Sequence, residues 1–284
     1  GYLLEAVNQT KFENQRETVK NERAQRVDNQ PYGLRHELNG EAMYPEGHPY
    51  SWMTIGYVED LDRVNVNDLK AFFKRWYGPN NAVLTIGGDI DEEQTLEWVK
   101  KYFGSIPRGP EVKDPKPATV ELDEDRYISL EDNVSLPLLY MAYPTVSRLH
   151  ADEAPLDVLA SIIGQGKTSI LYKNLVKNGV AVQSSVSHGC KELACEFVLY
   201  ALPNPMSGKG LADLEATIRD SFAEFEKRGV KADDIERVKA SIKSQLIYGL
   251  QSVSGKVSQL AANQTFEGDP NLIQKELERY ENVT

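Results

Sequence analysis

Apolar positions recur along this chain at two spacings. Leu69, Phe72, Phe73 and Trp76 repeat at three- and four-residue steps, which predicts an amphipathic helix. Asn65 precedes them as an N-cap with Asp68 at the third position, and Gly78-Pro79-Asn80-Asn81 stops the run. Leu96, Val99 and Phe103 predict a second such helix over 91–103. Two longer stripes follow, Leu211, Leu214, Ile218, Phe222 and then Ile235, Val238, Ile242, Leu246. Further helices are expected over 151–163 and 168–178, with a last one from near Asp269-Pro270. The early stretch 11–27 is helical in composition but strongly polar, and Val19 is one of its few apolar positions. Glu22 and Arg26 stand four apart there and suit an ion pair. Asn29-Gln30-Pro31-Tyr32-Gly33 breaks this helix, and a short one is expected over 34–43.

Elsewhere the apolar residues run together or alternate. Residues 82–88 read as a buried strand, and 119–130 and 138–143 as strand-like segments. Residues 180–188 and 196–202 predict an antiparallel pair around a Gly189-Cys190 corner. Strands and helices occur in clusters rather than in strict alternation, which indicates an α+β protein. Pro107, Pro110, Pro115 and Pro117, with Gly109 between, mark 105–118 as a linker. The expected division is therefore a first domain over 1–104 and a second over 119–284.

Composition narrows the function classes. A hydrophobic share of 40% and a charged share of 26% fit a globular protein. The net charge of -11 argues against binding nucleic acid or an anionic membrane, either of which wants a basic face. No apolar run approaches the ~18 residues of a transmembrane segment. Cys190 and Cys195 are too few for a disulfide framework. Their spacing, with His188 nearby, falls short of a complete zinc site, so they read as ordinary residues at a strand corner. Gly164-Gln165-Gly166-Lys167-Thr168 is similar to a phosphate loop, but Ser161 stands where the first glycine is required. His36-Glu37 begins like a zincin motif, but Gly40 stands at its fifth position. His48 and His150 read as structural and surface residues.

One run carries more than its parts. His48-Pro49-Tyr50, Thr54-Ile55-Gly56, Leu69-Lys70-Ala71-Phe72-Phe73, Trp76-Tyr77, Pro79-Asn80-Asn81-Ala82 and Gly87-Gly88-Asp89 follow in order. In that order and spacing they resemble the later part of the catalytic domain of the M16 (pitrilysin/insulinase) zinc metallopeptidases. The stretch from Leu136-Pro137 to Asn282-Val283-Thr284 is similar to the domain that follows it. The resemblance covers essentially the whole chain. It implies two consecutive M16-type (LuxS/mitochondrial processing peptidase-like) α+β domains, the first lacking its N-terminal part and the second cut short. The helical-looking start at residues 2–7 and the cap-like end are expected of a piece of something longer.

The resemblance also implies chemistry. In the family, two histidines and a general-base glutamate come from an inverted His-x-x-Glu-His motif, and a third zinc ligand comes from a downstream glutamate. That motif is absent from these 284 residues. Glu22, in Arg16-Glu17-Thr18-Val19-Lys20-Asn21-Glu22, matches the third ligand by position. Gln15 stands where the family often has a supporting acidic residue, a departure in the shell around the ligand. A substrate-gripping Arg and Tyr of the family's last domain have no counterpart in 169–183, as expected of a first half. The resemblance thus implies zinc in the parent, a peptide or small protein as substrate, and further M16 domains as partners. It implies a bacterial periplasmic or envelope location. An exposed sheet edge would permit a homodimer. The other reading is a non-catalytic M16-like scaffold or peptide-binding subunit.

Overall fold

The apolar stripes become helices close to where their spacing puts them. A computed structural model describes residues 6–284; residues 2–5, read as the start of a helix, lie outside it. The helices are α1 (Gln9–Arg23), α2 (Arg35–Met43), α3 (Val58–Arg63), α4 (Val66–Trp76), α5 (Glu92–Phe103), α6 (Glu153–Gly164), α7 (Leu211–Arg228), α8 (Ala232–Gly249), α9 (Val253–Glu267) and α10 (Ile273–Glu281). π-helical turns continue α1 over Ala24–Asp28 and precede the second strand over Tyr172–Lys177. The strands are β1 (Leu139–Pro144), β2 (Ala181–Cys190) and β3 (Cys195–Pro203).

These elements form two compact units that are discontinuous in sequence, unlike the linear division expected at 105–118. Of the described residues, one comprises those up to 26, 54–115 and 245–275; the other comprises 27–53, 116–244 and 276–284.

The second unit is built on an antiparallel sheet with β3 in the centre, order β1-β3-β2. Along β3, Cys195, Phe197, Leu199, Ala201 and Pro203 alternate inward, the period-2 pattern of a half-covered strand. Leu139, Met141, Val186 and His188 stand opposite members of that set and share their face. Helices α6 and α7 cover it. Ala160 and Ile163 of α6, and Leu214 and Ile218 of α7, pack with Val186, Leu199 and Ala201. A second stripe of α6, with Ala154, Val158 and Ile162, packs on Ile235 and Val238 of α8 and on Val283. Gly164 ends α6 against β2 so closely that a Cβ there would lie 2.2 Å from Val186 Cγ2. That contact, not phosphate, explains this glycine of Gly164-Gln165-Gly166.

Segment 27–53 covers the sheet's other face. Met43 and Tyr44 pack with Ala194, against Tyr50, Val120 and Ala142. Arg35 lies over the Tyr140 ring at 5.0 Å. The Tyr44 hydroxyl donates to Glu196 Oε1 at 2.8 Å, and burial with that carboxylate pushes the phenol well above its ordinary value. His48 takes the structural role read for it. It stacks on Tyr44, pairs through Nε2 with the Ala118 carbonyl at 2.8 Å, and accepts from the Tyr50 N–H through Nδ1.

The first unit contains no strand among the described residues, which corrects the expectation for 82–88. Ala82 is extended, but the run has no neighbouring strand to pair with, and Val83, Leu84 and Ile86 are exposed. Residues 119–130 likewise form no ladder; Val120 packs, while Glu121, Asp123, Glu124 and Asp125 face water. The Asn65–Asp68 capping box forms as expected. The stripes of α4 and α5 form too, yet neither helix has a buried residue. Phe72, Leu96, Trp98 and Phe103 are each about half exposed. Helix α9 carries no strong apolar stripe and was not expected; Ser252 caps it by accepting from the Gly255 N–H.

Cys190 and Cys195 form a disulfide and are not the ordinary corner residues expected. They sit directly opposite in the β2–β3 ladder, so both side chains leave the same face. A spacing too short to suggest a framework is the spacing of a closed hairpin end.

Candidate functional site

The residues singled out for chemistry fall at two places, one in each unit. Glu22 lies in the last turn of α1. That helix is held from its other side. Phe12, Arg16, Lys20 and Arg23 recur at i, i+4, i+8 and i+11, forming one stripe. Arg16 donates to the Val64 carbonyl, Lys20 pairs with Asp62, and Arg23 donates to the Gly56 carbonyl at 2.6 Å. The Asp62 carboxylate holds the Lys20 ammonium above its ordinary value. Glu22 stands off this stripe with a half-exposed side chain, and Arg26 Nη1 pairs with its Oε1 at 2.9 Å. Such an exposed i, i+4 pair contributes about 0.3–0.5 kcal/mol, too little to keep the carboxylate from a stronger partner.

Glu22 is half exposed and paired with Arg26, with no cluster of further ligand-type side chains around it among the described residues. Among the described residues, the one group of three His, Cys, Asp or Glu side chains close enough to share a metal is elsewhere. The residues present around Glu22 therefore do not make a zinc site by themselves. Gln15 is exposed, two turns back on the same helix.

The second place is the open end of the β2–β3 hairpin. His188, set aside on sequence grounds, is fully buried by its side chain and lies beside the disulfide. Its Nδ1 lies 2.7 Å from Asp157 Oδ1, and its Nε2 lies 2.9 Å from Thr145 Oγ1. A carboxylate only accepts, so Nδ1 carries a proton, and in the neutral imidazole Nε2 then accepts from the Thr145 hydroxyl. Tyr280, on α10, donates to the second Asp157 oxygen at 2.7 Å. Burial and that carboxylate push the Tyr280 phenol well above its ordinary value. Thr145 is fixed in turn, because its N–H donates to the Cys195 carbonyl and the Cys195 N–H to the Val146 carbonyl, each at 3.0 Å.

An Asp–His–Thr chain has the order of a nucleophilic triad. The imidazole here is sealed from solvent, and Asp157 is tied to Tyr280, so the chain pins α6 and α10 to the sheet. Asp157, Thr145 and Tyr280 do not stand out in the sequence as partners of His188. The available signal was Asp157 itself, a carboxylate between the apolar stripes of α6. The remaining histidines join neither place. His150 Nδ1 accepts from the Asp152 N–H at the surface, and the neighbouring Arg35 donates to His36 Nε2.

Comparison with known proteins agrees with the fold just described. Residues 63–242 match the family described as the peptidase M16 inactive domain. The chain is 27% identical over 258 residues to the zinc protease PqqE of Helicobacter pylori, covering 90% of this chain and 57% of that protein. It is 23% identical over 261 residues to the uncharacterized zinc protease YmxG of Bacillus subtilis, covering 90% of this chain and 62% of that one. A protease structure from Helicobacter pylori superposes with a TM-score of 0.84 at 26% identity, covering 98% of this chain and 67% of that one. The M16 inactive domain of Pseudomonas fluorescens superposes at 0.76 and 18% identity, covering 98% of this chain and 65% of that chain, a likeness of fold. The chain spans about three-fifths of the length of these two curated relatives. Among the described residues, no helix is long and apolar enough to cross a membrane. With a family match over most of its length and an α+β fold to suit it, the chain belongs to the M16 peptidase family, with residues 63–242 of the inactive-domain type.

Proposed function

We propose that this chain is part of a zinc-dependent endopeptidase and that it supplies the third zinc ligand, Glu22, together with the domain that follows the catalytic one. The carrying observation is the mounting of α1. Its basic stripe is committed to residues 56–64, while Glu22 is left on another side with a weak partner. A rigid helix that presents one weakly paired carboxylate is suited to contribute one ligand to an ion whose other ligands come from elsewhere. The relatives' greater length leaves room for them. The half-exposed faces of α4 and α5 support the same reading, because an amphipathic stripe of that size is ordinarily covered. Two histidines and the base are not among these residues, so the chain alone performs no hydrolysis. Its role is to position Glu22 and to carry the second domain, with a peptide as the whole protein's substrate.

The test is Glu22→Gln in the longer protein that contains this chain. Zinc content and peptide hydrolysis should both fall by at least tenfold; unchanged values for both would overturn the proposal. The other reading, a non-catalytic subunit, is favoured by the inactive-domain match and by 22% identity over 193 residues to a protein of Helicobacter pylori named non-peptidase homolog YmxG, covering 67% of this chain and 44% of that protein. Purified longer protein holding no zinc would select it.

A further inference from the structure

The hairpin end of the second unit holds a donor set that the peptidase reading does not use. Cys190 Sγ, Cys195 Sγ and a ring nitrogen of His188 lie within 4.8 Å of one another. All three side chains leave the same face of the β2–β3 ladder: His188 and Cys190 are two apart on β2, and Cys195 stands opposite Cys190. We propose that the disulfide masks a metal site: once Cys190 and Cys195 are reduced, their two thiolates and His188 Nε2 bind one thiophilic divalent ion such as Zn2+.

The chemistry of the donors fits. Two thiolates and one imidazole form a Cys2His set, which suits tetrahedral Zn2+ and leaves one position for another oxygen. Thr145 Oγ1, 2.9 Å from Nε2, or a water can take that position. A Zn–S bond of ~2.3 Å and a Zn–N bond of ~2.0 Å put tetrahedral donors about 3.5–3.8 Å apart, so the side chains need move only about 1 Å.

The surroundings fit as well. Asp157 accepts the Nδ1 proton of His188 and so turns the Nε2 lone pair toward Thr145, away from the helix. A carboxylate bonded to the far nitrogen of a ligating histidine is the usual support of such a ligand, fixing its tautomer and raising its basicity. Tyr280 holds that carboxylate from the other side. The strands keep the three donors in register whether or not the sulfurs are joined. Lys191 and Glu192 of the turn beside the cysteines are exposed, so an ion would enter from that side.

The redox step balances. A dithiol gives two electrons and two protons to the Cys190–Cys195 bond, which breaks into two thiols, while the dithiol closes to its own disulfide. The ion then displaces both thiol protons, so binding releases two protons and weakens as pH falls. Oxidation reverses the sequence and expels the ion. The chain would thus hold metal here under reducing conditions and be cross-linked under oxidising ones.

The experiment uses the whole 284-residue chain. One portion is reduced with dithiothreitol, which is then removed without air, and one is kept oxidised. Both are titrated with Co2+ and then Zn2+. The reduced chain should take up one equivalent of Co2+ and show sulfur-to-cobalt charge-transfer and tetrahedral ligand-field bands, which Zn2+ abolishes. The oxidised chain should show none. His188→Gln and Asp157→Asn should each weaken binding at least tenfold, and Cys190→Ser with Cys195→Ser should remove the bands. X-ray absorption of the reduced, unmodified chain loaded with Zn2+ should show two sulfur scatterers and one imidazole, which decides the matter even where a variant fails to fold. No bands from the reduced chain, equal uptake by the oxidised chain, or a zinc shell without imidazole would overturn the proposal.

Discussion

Residues 82–86 and 139–143 are two apolar runs of similar length, Ala-Val-Leu-Thr-Ile and Leu-Tyr-Met-Ala-Tyr, and both read as strands. The second pairs residue for residue with β3, while the first joins no ladder and leaves Leu84 57% exposed. Intrinsic preference is similar in the two runs. The difference is an available edge: β3 offers one, and nothing described in the first unit does. A strand is a property of a pair, because its backbone groups need partners outside the segment. The same contrast holds for helices. The stripe of α7 buries Leu214 completely, whereas that of α4 leaves Phe72 half exposed.

Matched substitutions sharpen this contrast, and the largest effect belongs to the packed unit. Leu199 is fully buried in the sheet. Leu199→Ala should cost about 2–5 kcal/mol, read as a lowered urea midpoint of the second unit. Leu84→Ala, in the exposed run, should stay within about 0.5 kcal/mol. Equal costs would break the comparison. Next come two glycines. Gly164→Ala forces its Cβ against Val186, with the backbone nitrogen also only 2.6 Å away, and should destabilise by about 3 kcal/mol. Gly87→Ala meets side-chain methyls alone, Val257 Cγ1 at 2.5 Å and Val253 Cγ1 at 3.4 Å, both movable ends, so a cost of about 1 kcal/mol is expected in calorimetry.

The smallest expected effect is a pH dependence confined to the packed unit. Partial burial, and then the Arg35 charge, hold the His36 imidazole below its ordinary value. Glu196 opposes that shift and Lys191 adds to it. Between the ordinary value of about 6.5 and the lower folded value, the unfolded chain binds the proton more readily. Stability should therefore fall as pH drops through that window and level off below it. The residue remains open to water, which screens the charges and keeps the effect small. Urea midpoints measured from neutral to mildly acidic pH check it, and His36→Gln should flatten that part of the slope.

Local signals were legible where a short stretch supplies its own partners. The Asn65–Asp68 box, the breaker at 29–33, the β2–β3 hairpin and the stripes of α7 and α8 all depend on neighbours within a few residues. The Glu22–Arg26 pair was readable for the same reason. Helix α9 was not, because its cap at Ser252 came without a clear apolar stripe. The setting of His188 was not legible, because Asp157 and Thr145 are 31 and 43 residues away in sequence and no spacing rule links them. The disulfide is not legible as a motif, because a five-residue separation becomes a pairing only through the register of the hairpin.

By itself the sequence determined the family, the α+β class, the hairpin and the helix that carries Glu22. These follow from order, periodicity and caps, which act over a few residues at a time. Tertiary structure alone decided which apolar runs found partners. It placed residues 27–53 on the far face of the second unit's sheet. It also brought His188 beside two cysteines with a carboxylate behind it. Those outcomes depend on which edges and faces meet in space, and a linear pattern carries no record of the groups that will stand opposite it.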